Sequence, residues 1–209
     1  MASGAAAVGQ ALEHGHEHEH HGPPPANVSS RVEASQLGMY LFIISEIMLF
    51  GAFFTAYFFI RVVGAAEWPA AGTELPKLIA GVNTAILVSS SFTIHWALVS
   101  VKREHRPGVR LGLLTTFLLG STFLLIQINE YVRLGFSPAD HAQGTIFYGL
   151  TGLHGAHVAV GLTLLAMATV RAFRGHFSAA EHRGLEVPGI YWHFVDVMWL
   201  VVYTTVYIL

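Results

Sequence analysis

Long apolar runs separated by short polar segments dominate the chain from residue 36 to its end. Each run is long enough for a membrane-spanning helix, which needs about 20 mostly apolar residues. The runs are continuous, whereas the strands of membrane barrels are short and alternate between apolar and polar residues. The pattern predicts an all-α fold, an integral membrane bundle of five transmembrane helices at 36–63, 76–101, 109–132, 144–173 and 188–209.

Prolines and glycines add detail to this prediction. Pro76 and Pro188 are expected in the first turns of their helices, where the missing N–H costs no hydrogen bond. Gly149, Gly152 and Gly155 recur every third residue of the fourth helix. Because small residues let helix backbones come together, we expect a close helix approach at these glycines.

Composition agrees with a membrane protein and narrows its chemistry. Hydrophobic residues make up 53% of the 209-residue chain and charged residues 11%, as expected when side chains face lipid. The polar connections between the runs are too short for a globular domain. Cysteine is absent, which excludes disulfides and thiolate metal sites. Any redox metal in this chain would depend on its 13 histidines.

Basic residues predict the orientation, because cytoplasmic loops carry an excess of Lys and Arg. With the N-terminus cytoplasmic and the C-terminus outside, eight basic residues lie inside, namely Arg31, Lys102, Arg103, Arg106, Arg110, Arg171, Arg174 and Arg183. The outside then has only three, Arg61, Lys77 and Arg133. The excess favours this orientation.

The segment before the first helix is polar and rich in histidine. Glutamates separate its histidines, His14, His16, His18, His20 and His21, and three prolines follow at 23–25. We expect residues 1–34 to form a disordered, solvated cytoplasmic tail, and residues 35–209 to form the membrane domain. Weak binding of Zn, Cu or Ni ions by the tail is the alternative.

A few polar side chains interrupt the apolar runs, where they are costly unless they face a bundle interior, a lipid headgroup or a cavity. They are Glu46, His95, Gln127, Glu130, His154, His157, His193 and Asp196. At 1.5 Å per residue, Glu46, Asp196 and His157 lie about 12–20 Å from the inner helix ends and are expected in one central layer. His95 is expected nearer the inner surface, and Glu130 nearer the outer one.

Two pairs of these residues have i, i+3 spacing, which places both members on one helical face. The pairs are His154 with His157 and His193 with Asp196. A metal or haem site is one interpretation, since histidines and carboxylates are suitable ligands for iron or copper. We favour the other interpretation, polar contacts between helices in which Asp196 orients His193.

Six segments, taken in order, resemble the signatures of subunit III of the haem–copper cytochrome oxidases. They are "LGMYLFIISEIMLFGAFFTAYF", "NTAILVSSSFTIHWA", "FLLIQINEYV", "FYGLTGLHGAHVAVGLTLL", "RAFRGHFS" and "YWHFVDVMWLVVYTTVYIL". The resemblance covers the chain from about Ser35 to Leu209. It is to the five-helix bacterial form, since many family members have two further helices before these segments.

The resemblance implies an accessory subunit of cytochrome c oxidase in a bacterial plasma membrane, with no catalytic residue, redox centre or nucleic-acid partner of its own. In the family, haem and copper belong to subunits I and II, and subunit III packs on subunit I, binds phospholipid and supports proton uptake during oxygen reduction coupled to proton pumping. Glu46 matches the family's buried glutamate. Arg171, Arg174 and His176 match a lipid-contacting stretch. The resemblance leaves membership of a larger respiratory supercomplex open.

Three other functions stay open at this point. They are subunit III of a quinol oxidase, an accessory protein of nitric oxide reductases, and a free-standing proton or ion transporter that uses Glu46 and the histidines as a relay. The Glu in "SEIMLF" and the start of "NTAILVSSS" favour the cytochrome c oxidase form. Inverted internal repeats would favour a transporter, and we find none in the sequence.

Overall fold

The computed structural model describes residues 34–64, 68–70, 75–177 and 183–209, and every regular element in these ranges is helical. Helix α1 spans Ala34–Val63, α2 Lys77–Lys102, α3 Arg106–Arg133, α4 Ala142–Phe173 and α5 Arg183–Tyr203, and a π-helical turn at Thr204–Ile208 continues α5. The five helices are long and apolar enough to cross a membrane, so the predicted fold class is confirmed. Apart from Ala34, the predicted tail lies outside the described residues.

Histidines cap two of the helices. The His105 side chain accepts a hydrogen bond from the Gly108 N–H at 3.2 Å at the start of α3. His141 does the same for the Gly144 N–H at 2.7 Å at the start of α4. Each ring pairs a backbone donor that the first turn leaves without a partner. The two helices therefore start three and two residues earlier than the predicted 109 and 144, at 106 and 142.

The first-turn prediction for the two prolines is wrong. Pro76 is the N-cap of α2 and precedes its first residue. Pro188 lies inside α5, which begins at Arg183 rather than at the predicted 188. A proline there removes the backbone hydrogen bond to the residue four positions earlier. The helix continues because tight packing holds this segment, with Leu185 fully buried and a Cβ added at Gly189 only 2.9 Å from Leu98 Cδ1.

Helix α5 lies at the centre of the bundle and α1 at its flank. Helix α5 contacts α1, α2 and α4, α2 packs along α3, and α3 packs on α4. Helix α1 contacts only α4 and α5 closely. Of the 18 most apolar consecutive residues in each span, 61% are buried in the span of α5 and 6% in that of α1. Most of α1 therefore faces outward from this chain.

The close helix approach predicted at Gly149, Gly152 and Gly155 is found only at Gly149, where an added Cβ would lie 3.1 Å from Phe53 Cε1 of α1. A Cβ added at Gly152 would meet nothing within 4 Å, and one at Gly155 only a leucine methyl at 3.9 Å. Tighter sites include Gly120 and Gly161, where an added Cβ would lie 2.5 and 2.8 Å from the Trp192 ring. Glycine spacing did not identify them because the large partner is on α5, and its position depends on the packing of three helices.

The helix connections define two ends of the bundle. The α2–α3 end contains the connection between α2 and α3 and the end of α4, and the α3–α4 end contains the opposite helix termini. In the loop of the α3–α4 end, the Ser137 N–H and Oγ donate to Asp140 at 2.6 and 2.9 Å. These hydrogen bonds hold the pKa of the exposed Asp140 carboxyl below its usual value, and the one from the backbone N–H contributes most.

Candidate functional site

Glu46 and His157 form a hydrogen-bonded pair between α1 and α4. Glu46 Oε2 lies 2.9 Å from His157 Nε2, and the two side chains are 16% and 11% exposed. His157 Nδ1 lies 2.8 Å from the Leu153 carbonyl oxygen, which can accept only from an Nδ1–H. Nε2 is therefore free either to accept a hydrogen bond from a protonated Glu46 or to donate as imidazolium to a carboxylate. The pair can hold one proton in either of two places.

Aromatic rings fix the His157 side of this pair. The ring centroids of Phe50 and Phe194 lie 5.1 and 6.3 Å from that of His157. Phe50 is fully buried, and the Tyr191 hydroxyl donates to the His157 carbonyl oxygen at 3.3 Å. The apolar wall excludes water from one side of the Glu46–His157 pair, which strengthens the hydrogen bond between its members.

His154 points to other neighbours although it lies only one turn from His157. It is 1% exposed, and its ring packs against Trp199 and Phe123 at centroid distances of 4.8 and 5.8 Å. Neither ring nitrogen has a hydrogen-bond partner within the described residues. The two histidines, three residues apart, therefore make separate contacts. His157 lies at the flank beside α1, and His154 lies among α3, α4 and α5.

A serine that sequence reasoning did not single out connects His193 and Asp196. Ser91 Oγ on α2 lies 3.3 Å from His193 Nδ1 and donates to Asp196 Oδ2. Asp196 is buried and His193 half-buried. Asp196, which we expected to orient His193, is thus connected to it through Ser91. His95 is exposed and lines a groove with Gln36, Tyr40 and Lys102 near the α2–α3 end, so its inclusion among the buried residues is wrong.

Glu130 is buried near the α3–α4 end, as its depth in the sequence predicts. It is 4% exposed, and its Oε1 accepts a hydrogen bond from the Tyr207 hydroxyl at 2.8 Å. On the next residue of α3, the Tyr131 hydroxyl donates to Thr151 Oγ1 at 2.8 Å. Glu130 is therefore held by the end of α5, whereas Glu46 is held by α4.

The family model of cytochrome c oxidase subunit III matches residues 17–209 of the chain. The chain belongs to the cytochrome c oxidase subunit III family. Cytochrome c oxidase subunit 3 of Thermostichus vulcanus is 39% identical over 200 residues, which are 95% of this chain and 92% of that protein. The Synechocystis protein is 38% identical over 93% of this chain and 81% of its own length. The Drosophila yakuba protein is 42% identical over 81% of this chain and 67% of its own length.

In this subunit III chain, the residues expected to contact lipid lie together at the α2–α3 end. Arg171, Arg174 and His176 are exposed, and the Arg171 guanidinium carbon lies 5.5 Å from the centroid of the Phe177 ring. Arg110 of α3 was not singled out, yet its guanidinium donates to the carbonyl oxygens of Ala172 and Phe173, at 3.4 Å each. The signal for Arg110 is its position in the basic first turns of α3, which lie beside the end of α4.

Metal chemistry has no candidate site in the part of the bundle described above. In residues 34–64, 68–70, 75–177 and 183–209, no group of three or more His, Asp or Glu side chains is placed to hold a metal ion. The expected weak ligands of the tail, His14 to His21, lie outside these ranges. For this subunit III, the absence of a redox centre stays a prediction.

Proposed function

We propose that the chain is the accessory subunit III of a respiratory cytochrome c oxidase, without a redox centre of its own. It stabilises subunit I and supports proton uptake and lipid binding during oxygen reduction coupled to proton pumping. Family membership supports the oxidase assignment. The observation that supports the accessory role is the 2.9 Å contact of Glu46 with His157, since the one carboxyl group of α1's apolar span is bound within this chain.

The chemistry of this pair suits proton handling better than catalysis. Both groups can carry a proton, they exchange it across one hydrogen bond, and their side chains are mostly but not fully shielded. Among the described residues, neither group belongs to a set of three or more His, Asp or Glu side chains that could hold a metal ion. The pair is therefore expected to keep a proton near the α1 flank and to fix α1 against α4.

Subunits I and II are the expected partners, and the outward faces of the spanning helices are available to them. The exposed apolar side chains of α1, including Leu41, Ile44 and Met48, lie on the same helix as Glu46. In a membrane, such a face contacts either lipid chains or the apolar surface of another subunit. Loss of the contacts of α1 within this chain should therefore weaken attachment to subunit I.

The orientation and the lipid site belong to the same proposal. We place the N-terminus and the α2–α3 end on the cytoplasmic side of a bacterial plasma membrane, because eight of the 11 basic residues then lie inside. Arg171, Arg174 and His176 then lie at the inner surface, where anionic headgroups attract basic side chains. Arg110 stands beside them at the end of α4 and adds a fourth basic group.

Substitution of Glu46 tests the accessory role. Glu46→Gln keeps the shape and a hydrogen bond to His157, so assembly and initial oxygen reduction should persist. Glu46→Ala leaves His157 without its partner, a loss of about 1–3 kcal/mol, and should weaken association with subunit I. Oxygen consumption and proton release by the reconstituted oxidase are measured over successive turnovers. A Glu46→Gln complex with intact haems that fails to reduce oxygen from its first turnover would refute the accessory role.

Removal of basic side chains tests the lipid site. The double substitution of Arg171 and Arg174 by Ala should lower the anionic phospholipid that co-purifies, because two headgroup partners are lost. The matched control replaces Lys77 and Arg133, two exposed basic residues at the α3–α4 end, and should leave this lipid in place. Mass spectrometry of the purified oxidase measures the lipid. Equal lipid content in both double variants and the wild type would contradict the site.

A further inference from the structure

Unpaired polar atoms are concentrated at one buried junction of the bundle. Eight buried side-chain nitrogen or oxygen atoms of the described residues lack a hydrogen-bond partner, and six of them belong to Asn83, Gln127, Glu130 and His154. These four residues, on α2, α3 and α4, are at most 4% exposed. We call them the junction cluster. Buried polar groups are rarely left without partners, so such a concentration points to a ligand.

The helix register places Gln127 and His154 close together. Helices α3 and α4 run antiparallel, with Tyr131 bonded to Thr151 at 2.8 Å and the Phe123 ring 5.8 Å from the His154 ring. Gln127 lies one turn from Tyr131 and one turn from Phe123 along α3. Residues four apart share one face of a helix, so the Gln127 amide lies at the α3–α4 interface between these two contacts.

The other two members of the junction cluster adjoin the same turns of α3. Asn83 Nδ2 donates to the Phe123 carbonyl oxygen at 3.1 Å, which leaves its Oδ1 free beside the turn that carries Gln127. Glu130 bonds Tyr207 through Oε1 and has Oε2 free. The Gln127 side chain interacts electrostatically with the nearby hydroxyls of Tyr131 and Tyr207 without the geometry of a full hydrogen bond to either, so it lies near the level of Glu130.

We propose that ordered water molecules bind in the junction cluster and join its four side chains into one hydrogen-bonded chain. The unpaired atoms include acceptors on Asn83 and Glu130, and both donors and acceptors on Gln127 and His154. Water serves all of them because it donates and accepts, and a buried water typically makes about three such bonds. A dry cluster would leave every one of these groups with its full desolvation penalty. A contact of a His154 N–H with the Phe123 ring would be weak and would serve one atom of the six.

The proposed water chain gives the bundle a polar route from its α3–α4 end. Glu130 lines a cavity of about 200 Å³ at that end, together with Asn129 and Arg133. At the other end of the cluster, His154 lies one turn of α4 from His157, which bonds Glu46. Hydrogen-bonded water molecules exchange protons. The proposed water chain would therefore carry proton exchange from this cavity to His154, one helical turn from the Glu46–His157 pair. The site goes beyond the proposed oxidase role, because it depends only on contacts within this chain.

Water-edited solid-state NMR tests the site directly. The full chain, with ¹⁵N-labelled His and Trp, is placed in bilayers, and transfer of magnetisation from water to ring N–H groups is measured. We expect transfer to His154. Trp192 is the dry control, because its fully buried indole donates to Ser90 Oγ at 2.8 Å. His105 is exposed in the α2–α3 connection and is the wet control. Transfer to His105 with none to His154 overturns the proposal.

A pair of variants on α3 sharpens this test. Gln127→Leu removes two of the six unpaired atoms and should lower the transfer to His154 several-fold. Thr122→Leu is the matched control, because it also replaces a polar residue of α3 by leucine, at an exposed position outside both the junction cluster and the cavity lining, and should leave the transfer unchanged. An equal signal from His154 in both variants and the wild type would mean that Gln127 does not hold the water. If Gln127→Leu does not fold, the wild-type measurement alone decides.

Discussion

A carboxyl group and a histidine occur together in two regions of this molecule, in different surroundings. At the flank, Glu46 and His157 bond each other at 2.9 Å on a helix pair that includes the barely covered α1. At the junction cluster, Glu130 bonds Tyr207, and His154 has no partner within the described residues. The same residue types thus form a direct hydrogen bond with each other in one place and a group with unpaired atoms in the other. The two regions differ in burial. The groups of the junction cluster are buried more deeply than Glu46 and His157, so more of their hydrogen bonds must be made inside the bundle.

The two regions also differ in what holds them together. Among the described side chains of α1, 36–63, Phe50 and Tyr57 are the only buried hydrophobic ones. The interior contains the fully buried Trp192 and Trp199, whose indoles donate to Ser90 and Thr84 at 2.8 and 2.9 Å. Lipid is as apolar as leucine, so van der Waals packing and hydrogen bonds, rather than removal from water, stabilise helix contacts in a membrane. Helix α1 is therefore expected to separate before the α2–α5 interior does.

The largest expected effect comes from breaking the interior. Trp192→Ala removes the ring that fills the space beside Gly120 and Gly161, together with its hydrogen bond to Ser90. We expect a loss of about 3–5 kcal/mol in the free energy of unfolding, the range measured for large aromatic residues replaced in cores. Trp96→Ala is the matched control, because Trp96 is 45% exposed on α2. Denaturant titration of the full chain in detergent micelles measures both.

Equal losses for the two tryptophan variants would contradict the division into a tight interior and a loose flank. Loss of helicity confined to α1 in Trp192→Ala, measured by hydrogen exchange, would contradict it as well. The expected pattern is a lower unfolding free energy for Trp192→Ala in every helix, since α5 contacts α1, α2 and α4.

The five helices could be predicted from the sequence because lipid imposes a simple length rule on apolar runs. The start of α5 could not, because it depends on the packing of residues 185–192 around a proline. Glu46 and His157 could be placed at a similar depth, since each lies on a helix of known rise. The use of His154 and His157 in different contacts could not be predicted, because a helix face 100° wide can serve two neighbours.

The hydrogen-bonding hydroxyl groups were the hardest part to predict. Ser91, which connects His193 and Asp196, is one of three consecutive serines. Its neighbours Ser89 and Ser90 instead donate to carbonyl oxygens of their own helix, at 2.7 and 2.6 Å. Sequence alone does not separate the two uses, because a serine in a helix can always bond the preceding turn. Ser91 bonds His193 and Asp196 because of where α5 lies, which the sequence does not give.

A smaller effect is expected from Tyr207→Phe, which sharpens the comparison at the level of single hydrogen bonds. The change removes the hydroxyl that donates to Glu130 and leaves a second oxygen of this buried carboxyl unpaired. We expect a loss of about 1–3 kcal/mol in the free energy of unfolding. Tyr203→Phe is the control, because it removes the same group from a partly buried ring that stacks on Tyr207. A loss as large in the control would mean that removal of either hydroxyl is equally costly, and the Glu130 hydrogen bond would then not explain the effect.

The smallest expected effect lies at the flank, where Glu186 of α5 connects three helices near the α2–α3 end. Gln36 of α1 donates to Glu186 Oε2 at 2.9 Å, and Lys102 of α2 lies 3.6 Å from Oε1. The Lys102 side chain is 61% exposed, so solvent and salt screen its charge. Lys102→Met should therefore cost less than about 1 kcal/mol in the free energy of unfolding, and the cost should shrink further in high salt. Gln36→Leu removes a better-shielded contact to the same carboxylate and should be insensitive to salt. If Lys102→Met instead released α1 from the bundle, as measured by hydrogen exchange of α1 alone, the flank would depend on its surface charges rather than on Phe50 and the Glu46–His157 pair.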